Sequence, residues 1–587
     1  LEWVILGKVC LDGAHQPADV SSYRTHILPN GRPSILEPCS NVLIVNKPSG
    51  NDFDNRRKEV FKGGCFDDGL AQNVFVRTEN DDKPGMSVED RKFVEIMEGS
   101  LRKNDAGNWI APLPFRYEVK TLPESRGEAY KRLKSTRKTL DRNPVTKQHY
   151  FAFMKNLLDK GHAEPVPPQD PMPLKPCWYL PHFGVYHPQK PDKIRVVFDS
   201  AAENRGISLN KLLLSGPDLA NSLIGVLLRF RKHSTAFMAD IEQMFYSFVV
   251  QEDHRDFLRF LWYDKNDPNG AIVEYRMTVH IFGNTSSPAI ATFGLRKTAE
   301  VGEPEFGSDA KEFVDNDFYV DDGLKSVPNS QQAIDLLQRT QAMLATCNLR
   351  LHKISSNNPM VTDAFPQDDR AADLRDLDLN HVSAPVQRSL GVSWDLTADA
   401  FTFSVKTGNK PFTKRGVLSI INSFYDPLGI AAPVLIQGKC LLRAMTEQLK
   451  DRQLEEWDVP LPLELKAVWD DWCGSLTELQ HIKLTRPYAT SLEKASQVEL
   501  HTFCDASVKG IGAVSYLKTT QPNGPIEVSF VFGKAKLAPA HATTIPRLEL
   551  CAAVLAVEIT DMILNERVVT RSNNITFRQQ SRARLHC

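Results

Sequence analysis

Residues 313–326 read Phe-Val-Asp-Asn-Asp-Phe-Tyr-Val-Asp-Asp-Gly-Leu-Lys-Ser, and the reading of Tyr319-Val320-Asp321-Asp322 decides the fold. The apolar residues before the two carboxylates predict a strand, and Gly323 predicts the turn into a second strand beginning at Leu324. The product is a hairpin with an acidic tip. Adjacent carboxylates repel, so their place at the end of a strand points to a divalent cation that neutralises them. A solvated Asp-Asp-Gly turn is the competing reading, and the stretch alone does not separate the two. An EF-hand loop running through Asp315 and Asp317 is excluded. Tyr319 and Val320 stand where that loop needs an oxygen ligand and a glycine, and Ser326 where it needs Glu.

The chain around this stretch has 587 residues, too many for one core, so three or four domains are expected. With 42% hydrophobic and 24% charged residues it has the composition of ordinary globular protein. A net charge of −1 argues neither for nor against nucleic acid, but charge is unevenly placed. Residues 116–147 hold ten Lys or Arg against four Asp or Glu, including Lys131, Arg132, Lys134, Arg137 and Lys138. Such a run reads either as a phosphate-binding face or as a solvated helix. The ten cysteines form no Cys-x-x-Cys pair, which fits a reducing compartment without structural zinc. No apolar run approaches the roughly 18 residues that a membrane span needs. The best, Gly429–Ile436, is broken by Pro433. The chain begins at Leu1 inside a strand-like run, which is expected of a piece of a longer polyprotein.

Residues 1–45 read as short strands between Pro and Gly turns, and polar residues 46–90 as a linker. Helical periodicity governs Ser87–Lys160, with Phe151, Phe153, Met154, Leu157 and Leu158 as a core stripe. Pro165–Pro176 is a connector that proline keeps out of helix. Tyr179–Pro188 and Lys193–Asp199 then alternate as a hairpin, with Lys193 and Arg195 on one face, suited to a triphosphate. His182 and His187 read as turn packing rather than metal ligands.

Two further blocks carry chemistry. In Thr235–Val249 an apolar strand ends in Asp240, a carboxylate oriented by rigid backbone, with Phe245 five residues on. Helix capping is the alternative role for Asp240. In His280–Ala291, Gly283 and Pro288 flank a turn that opens a helix, where free N–H groups can face an anion.

Asp240-x4-Phe245, Phe282-Gly283-x3-Ser287-Pro288-Ala289 and Tyr319-Val320-Asp321-Asp322 stand in the order and spacing of the palm motifs of a retroelement reverse transcriptase. The wording around them (Tyr179–Pro188, Ile194–Asp199, Gly216–Leu219, Ala239–Phe245, His280–Pro288) resembles the pol polyprotein of Pao/BEL-class LTR retrotransposons over nearly the whole chain. The resemblance implies an RNA-directed DNA polymerase in which Asp240 and Asp321 bind two Mg²⁺ (or Mn²⁺) ions and Asp322 completes the triad. By the same resemblance Phe245 gates against a ribose 2′-hydroxyl, Lys193 and Arg195 hold the triphosphate, Gly283 admits nucleotide and template, and Lys353 gives a proton to the leaving pyrophosphate. It implies an RNA template, a DNA primer and deoxynucleoside triphosphates as partners, with no membrane. It further implies self-association in a cytoplasmic virus-like particle with entry to the nucleus.

Leu390–Trp394 resembles the segment that packs palm against thumb. Thr413–Pro487 resembles a stretch classed in that family as a Pao-type aspartic peptidase. A peptidase of that kind needs Asp-Thr-Gly or Asp-Ser-Gly, and neither occurs in the chain; Asp426-Pro427-Leu428 cannot form the required loop. Residues 499–558 resemble ribonuclease H through Asp505 on a first strand and Glu549 on a first helix, with Gln580 where a further carboxylate is needed. The expected fold is α+β: a right-hand polymerase (fingers, palm, thumb) followed by a truncated RNase H-like α/β domain. The expected boundaries are a retropepsin-like remnant at 1–45, a linker at 46–90, fingers and palm at 91–365, a thumb and connection at 366–495, and an incomplete RNase H-like domain at 496–587. The rival functions are a catalytically degenerate nucleic-acid-binding derivative and an aspartic peptidase fragment.

Overall fold

The computed structural model describes residues 85–167, 176–187, 190–371, 393–403, 410–451, 457–522, 524–539, 544–566, 568 and 574–579, with five strands among the first 46. For the first 46 residues and for 187, 190–193, 449–451 and 574–579 the description is of backbone alone. The sequence readings for 51–84, 168–175, Leu390-Gly391-Val392 and Gln580 lie outside the described residues. The chain forms two units, Leu1–Gly85 and Met86–Cys587. In the first, Asp19–Tyr23 pairs antiparallel with Val4–Leu6 on one side and Leu43–Asn46 on the other, and Thr25–Ile27 pairs with Pro33–Pro38.

The second unit mixes helix and sheet throughout. Its opening helix, Val88–Ser100, is capped by Ser87, whose hydroxyl accepts from Asp90 N at 3.0 Å. The helical pattern expected up to Lys160 is interrupted, because Gly107 at φ +90° and the bond from Asn108 N to Asn104 Oδ1 (2.8 Å) make a turn between strands Arg102–Lys103 and Trp109–Ala111. Helices Arg126–Arg142 and Pro144–Asp159 follow, the second started by Asn143 and Pro144. They pack with the hairpin His182–His187/Lys190–Phe198 and the sheet Arg259–Tyr263/Ile272–Met277/Ala163–Pro165 in one core. His182 is part of that core rather than of a turn. Its Nε2 donates to Leu261 O at 3.0 Å and its Nδ1 faces Tyr150 Oη at 2.6 Å.

The centre of the unit is a four-stranded antiparallel sheet in the order Phe318–Tyr319, Asp322–Val327, Thr235–Ile241, Leu351–Ser356. Thr235–Ile241 buries both faces, so its two sets of alternating residues meet different cores. Phe237, Ala239 and Ile241 join the core with helices Ser287–Phe306, Ser308–Asp317 and Ser330–Ala345. Ala236 and Met238 join a second core with helix Leu223–Phe230, Trp394, Phe401 and the C-terminal sheet. Asp240 continues this second set to the end of the strand.

Beyond the centre, helices Lys414–Ser423, Ala432–Asp451 and Lys466–Ser475 share a core around Trp469 and Trp472. Asp426 ends its carboxylate on the backbone N–H groups of Gly429, Ile430 and Ala431 (3.0, 3.0 and 2.7 Å), just before the helix at Ala432. The last sheet runs Ile526–Leu537, Gly510–Thr520, Gln497–Ala506, Asn574–Gln579, with Asn574–Gln579 parallel to Gln497–Ala506 and helix Ile545–Asn565 packed on it. Among the described residues no helix is long and apolar enough to cross a membrane.

Candidate functional site

Strand register brings the sequence-predicted carboxylates together. Asp240 lies directly opposite Asp322, and Tyr319 pairs with Asp322, so Val320 and Asp321 form the two-residue tip of the hairpin. Ile241 N donates to Asp321 O at 2.9 Å and ties the tip to the Asp240 strand. The turn is not made where the sequence places it. Gly323 lies in the strand Asp322–Val327, and a Cβ there would meet the rings of Phe318 and Phe313 at 2.8 and 2.9 Å. The left-handed residue is Val320, at φ +60°, a conformation that a β-branched side chain rarely takes. Gln243 (φ +49°) and Lys353 (φ +52°) are likewise left-handed, so each chain segment that borders the carboxylates holds one strained residue.

Electrostatics separate the three carboxyls. Burial pushes Asp240 up, but the hydrogen bond from His352 and the charge of Lys353 outweigh it and hold the group below the usual range. Burial and the charge of Asp240 raise Asp321. Burial, then the charges of Asp321 and Asp240, raise Asp322 well above its ordinary value, and its Oδ1 is buried without a hydrogen-bond partner. Two carboxyls raised by burial and by the negative charge of their neighbours form an anionic pocket suited to a hard cation with oxygen ligands. In the present arrangement Asp240 turns to His352 and Lys353, and among the described residues no three His, Cys, Asp or Glu side chains form a ready metal-holding group.

The other candidates are distributed around this pocket. Arg195 is exposed on its strand, and its positive charge bears on Asp321. The Lys193 side chain lies outside the described residues. Phe245, on a short turn of 3-10 helix, packs against the exposed ring of Phe282 with centroids 4.5 Å apart. Gly283 adopts φ +120°, and a Cβ there would stand 2.2 Å from Phe198 O; its missing side chain makes room for protein backbone. Lys353 Nζ sits 3.0 Å from Asp240 Oδ2. Asp240 does not start the helical turn after it, whose N-cap is Gln243. Asp315 and Asp317 fall in helix Ser308–Asp317. There Asp317 is buried against Arg229 Nε (2.8 Å) and Lys325 Nζ (2.5 Å), a structural pairing. His352 is the site residue that sequence reasoning missed, since only the strand pairing shows that it faces Asp240.

In the C-terminal sheet, Asp505 lies near the end of its strand and Glu549 in the first turns of the helix above it. Burial raises the Cys504 thiol, and the negative charges of Glu549 and Asp505 add to it.

Residues 413–580 match the family model described as Pao retrotransposon-like RNaseH-like domain. The match begins ahead of the strand that carries Asp505 and takes in the helices from Lys414 on. No curated protein matches the chain. Among solved structures the chain is similar to the foamy viral protease-reverse transcriptase dRH in complex with double-stranded DNA. The identity is 12%, 99% of this chain and 94% of that one are covered, and the TM-score is 0.44. It is also similar to the foamy viral protease-reverse transcriptase in complex with an RNA/DNA hybrid, at 13% identity, 85% and 61% coverage and a TM-score of 0.45. Over residues 413–580 the chain is therefore similar to the RNaseH-like domain of Pao retrotransposons.

Proposed function

We propose that this chain is an RNA-directed DNA polymerase, with the central sheet as palm, the hairpin His182–Phe198 and the helices beside it as fingers, and a two-metal site at Asp240, Asp321 and Asp322. The observation that carries the reading is the register that sets Asp240 against Asp322 with Asp321 at the adjoining tip. Beyond burial, the raising of Asp321 by Asp240 and of Asp322 by both, with the orphaned Asp322 Oδ1, fits a divalent cation held by these carboxylates.

In the reaction the primer 3′-hydroxyl gives its proton to solvent, its oxygen bonds to the α-phosphorus of a deoxynucleotide, the bond from that phosphorus to the bridging oxygen breaks, and pyrophosphate leaves. Bound Mg²⁺ would supply a lower pKa for the attacking hydroxyl and charge neutralisation on the phosphates. Arg195, exposed at the edge of the anionic pocket, is placed to take phosphate oxygens. Phe245, braced by Phe282, presents a ring beside the Asp240 strand that would limit the sugar to the deoxy form. Lys353 would leave Asp240 for the triphosphate once a cation replaces it there.

Primer extension on an RNA template with Mg²⁺ or Mn²⁺ tests this. The wild type is expected to incorporate deoxynucleotides and Asp321→Asn to lose incorporation. A well-folded wild type that adds no nucleotide overturns the polymerase reading.

A further inference from the structure

Adjacent residues of a regular strand point to opposite faces, yet His352 and Lys353 both reach the carboxylate of Asp240. His352 Nε2 donates to Oδ1 at 3.0 Å and Lys353 Nζ pairs with Oδ2 at 3.0 Å. The pairing explains how. Met238 faces Ser355 and Asp240 faces His352, so one residue, Ala239, lies opposite two, Lys353 and Ile354. That is a β-bulge, and Lys353 is the bulged residue in the left-handed region, at φ +52°. The extra residue turns the Lys353 side chain onto the same face as that of His352, and the two cap both oxygens of one carboxylate.

The two grips differ. His352 is the register partner of Asp240, with its side chain 14% exposed; Lys353 reaches in on a flexible stem and is 26% exposed. A lysine can leave when a metal ion or a triphosphate competes for its charge, whereas the imidazole is fixed by the strand that carries it. Hydrogen bonds from such outer groups orient metal-binding carboxylates and tune them.

We infer that His352 is a positioning residue, which holds Asp240 Oδ1 so that Oδ2 stays directed toward a divalent cation when Lys353 withdraws. The inference rests on the polymerase reading for its consequence in catalysis, but not for its effect on cation binding. His352 reaches the carboxylates through Asp240, so its removal acts through that residue.

The test uses the full chain and the variants His352→Leu and His352→Gln, the second of which keeps an N–H donor. Mn²⁺ binding is read by the loss of free-ion paramagnetic resonance signal, next to primer extension at varied Mg²⁺ and deoxynucleotide and to thermal midpoints. His352→Leu is expected to weaken Mn²⁺ binding and raise the Mg²⁺ needed for half-maximal extension by about 10–100-fold, with the nucleotide KM little changed. His352→Gln is expected to recover a large part of both. Mn²⁺ affinity within twofold of wild type in a folded His352→Leu overturns the inference, as does equal loss in His352→Gln and His352→Leu at unchanged thermal midpoints. If wild type binds Mn²⁺ in a His352-dependent way but extends no primer, the polymerase reading fails and the positioning role stands.

Discussion

Arg486 meets Asp399 through two parallel hydrogen bonds, Nε to Oδ1 at 2.7 Å and Nη2 to Oδ2 at 2.8 Å, with none of the Arg486 side chain exposed. The remaining donors are also used: Nη1 reaches Phe230 O and His233 O (2.7 and 2.8 Å), and Nη2 reaches Ser234 O (2.8 Å). One guanidinium thereby ties the end of helix Leu223–Phe230 to the start of the Asp240 strand and to the turn at Asp399. Arg486→Met is expected to destabilise the protein by roughly 3–5 kcal/mol, since it strips Asp399 of its charge partner, leaving Trp394 and Asn357 to donate to it, and takes a donor from the carbonyls of Phe230, His233 and Ser234. Arg486→Lys should recover only a fraction, because an ammonium cannot span the fork. Urea unfolding measures both; a loss below 1 kcal/mol in Arg486→Met would contradict the role.

The acidic hairpin turns on Val320, and this separates two substitutions. Val320→Asn is expected to stabilise by roughly 1 kcal/mol, because Asn tolerates the left-handed region. Gly323→Ala is expected to destabilise by roughly 1–3 kcal/mol through overpacking against Phe313 and Phe318. Thermal unfolding checks both, and the opposite order would mean that the turn sits at Gly323 after all.

Acid should unfold the chain through its buried histidines. Burial lowers both His182 and His280 from 6.5 to about 4, with backbone acceptors and neighbouring positive groups as smaller influences. Above pH 6.5 both states hold these groups neutral, so they cost nothing. As pH falls from 6.5 to 4 the unfolded chain takes up protons that the folded chain refuses, and stability declines by up to roughly 3 kcal/mol for each. Urea midpoints between pH 7 and 4 measure this. His182→Gln should flatten the slope, and an unchanged slope in that variant would exclude His182 as a source.

Asp426 caps the helix that begins at Ala432, and Asp426→Ala is expected to cost roughly 1–2 kcal/mol by releasing three backbone donors. Asp426→Asn should cost less. Burial raises the carboxyl despite its three bonds, so the loss of its charge is tolerated better than the loss of its oxygens. Calorimetry separates the two variants; equal costs would show that the charge itself is needed.

The strand positions of the candidate site's carboxylates are legible in the sequence because these residues sit at the ends of apolar runs. Asp240 closes Thr-Ala-Phe-Met-Ala, and Asp321 follows Phe-Tyr-Val, so each could be placed at a strand end before any pairing was known. What was not legible depends on register. The bulge that turns Lys353 beside His352 arises from two residues opposing one across strands more than a hundred positions apart. Gly323 misled because glycine signals a turn by its conformational freedom, whereas here it is needed for its lack of volume between two rings. The break after Ser100 in the helical run was hidden for a related reason: Gly107 makes its turn inside an otherwise periodic segment. His182 also escaped, since its neighbours suggested a turn and only the fold shows that it joins Tyr150 to the carbonyl of Leu261.

Helix Leu223–Phe230, strand residues Ala236 and Met238, Trp394 and Phe401, and Leu500, Leu517, Val531 and Leu555 all bury themselves in a single apolar cluster. The even-numbered face of the Asp240 strand and the inner face of the C-terminal sheet therefore share one interior. Scission ahead of Gln497 would open that interior on both fragments at once, and neither would keep the heat capacity of a finished domain. The central sheet and the C-terminal sheet are therefore expected to melt as one calorimetric unit, so that damage to either lowers a shared melting temperature.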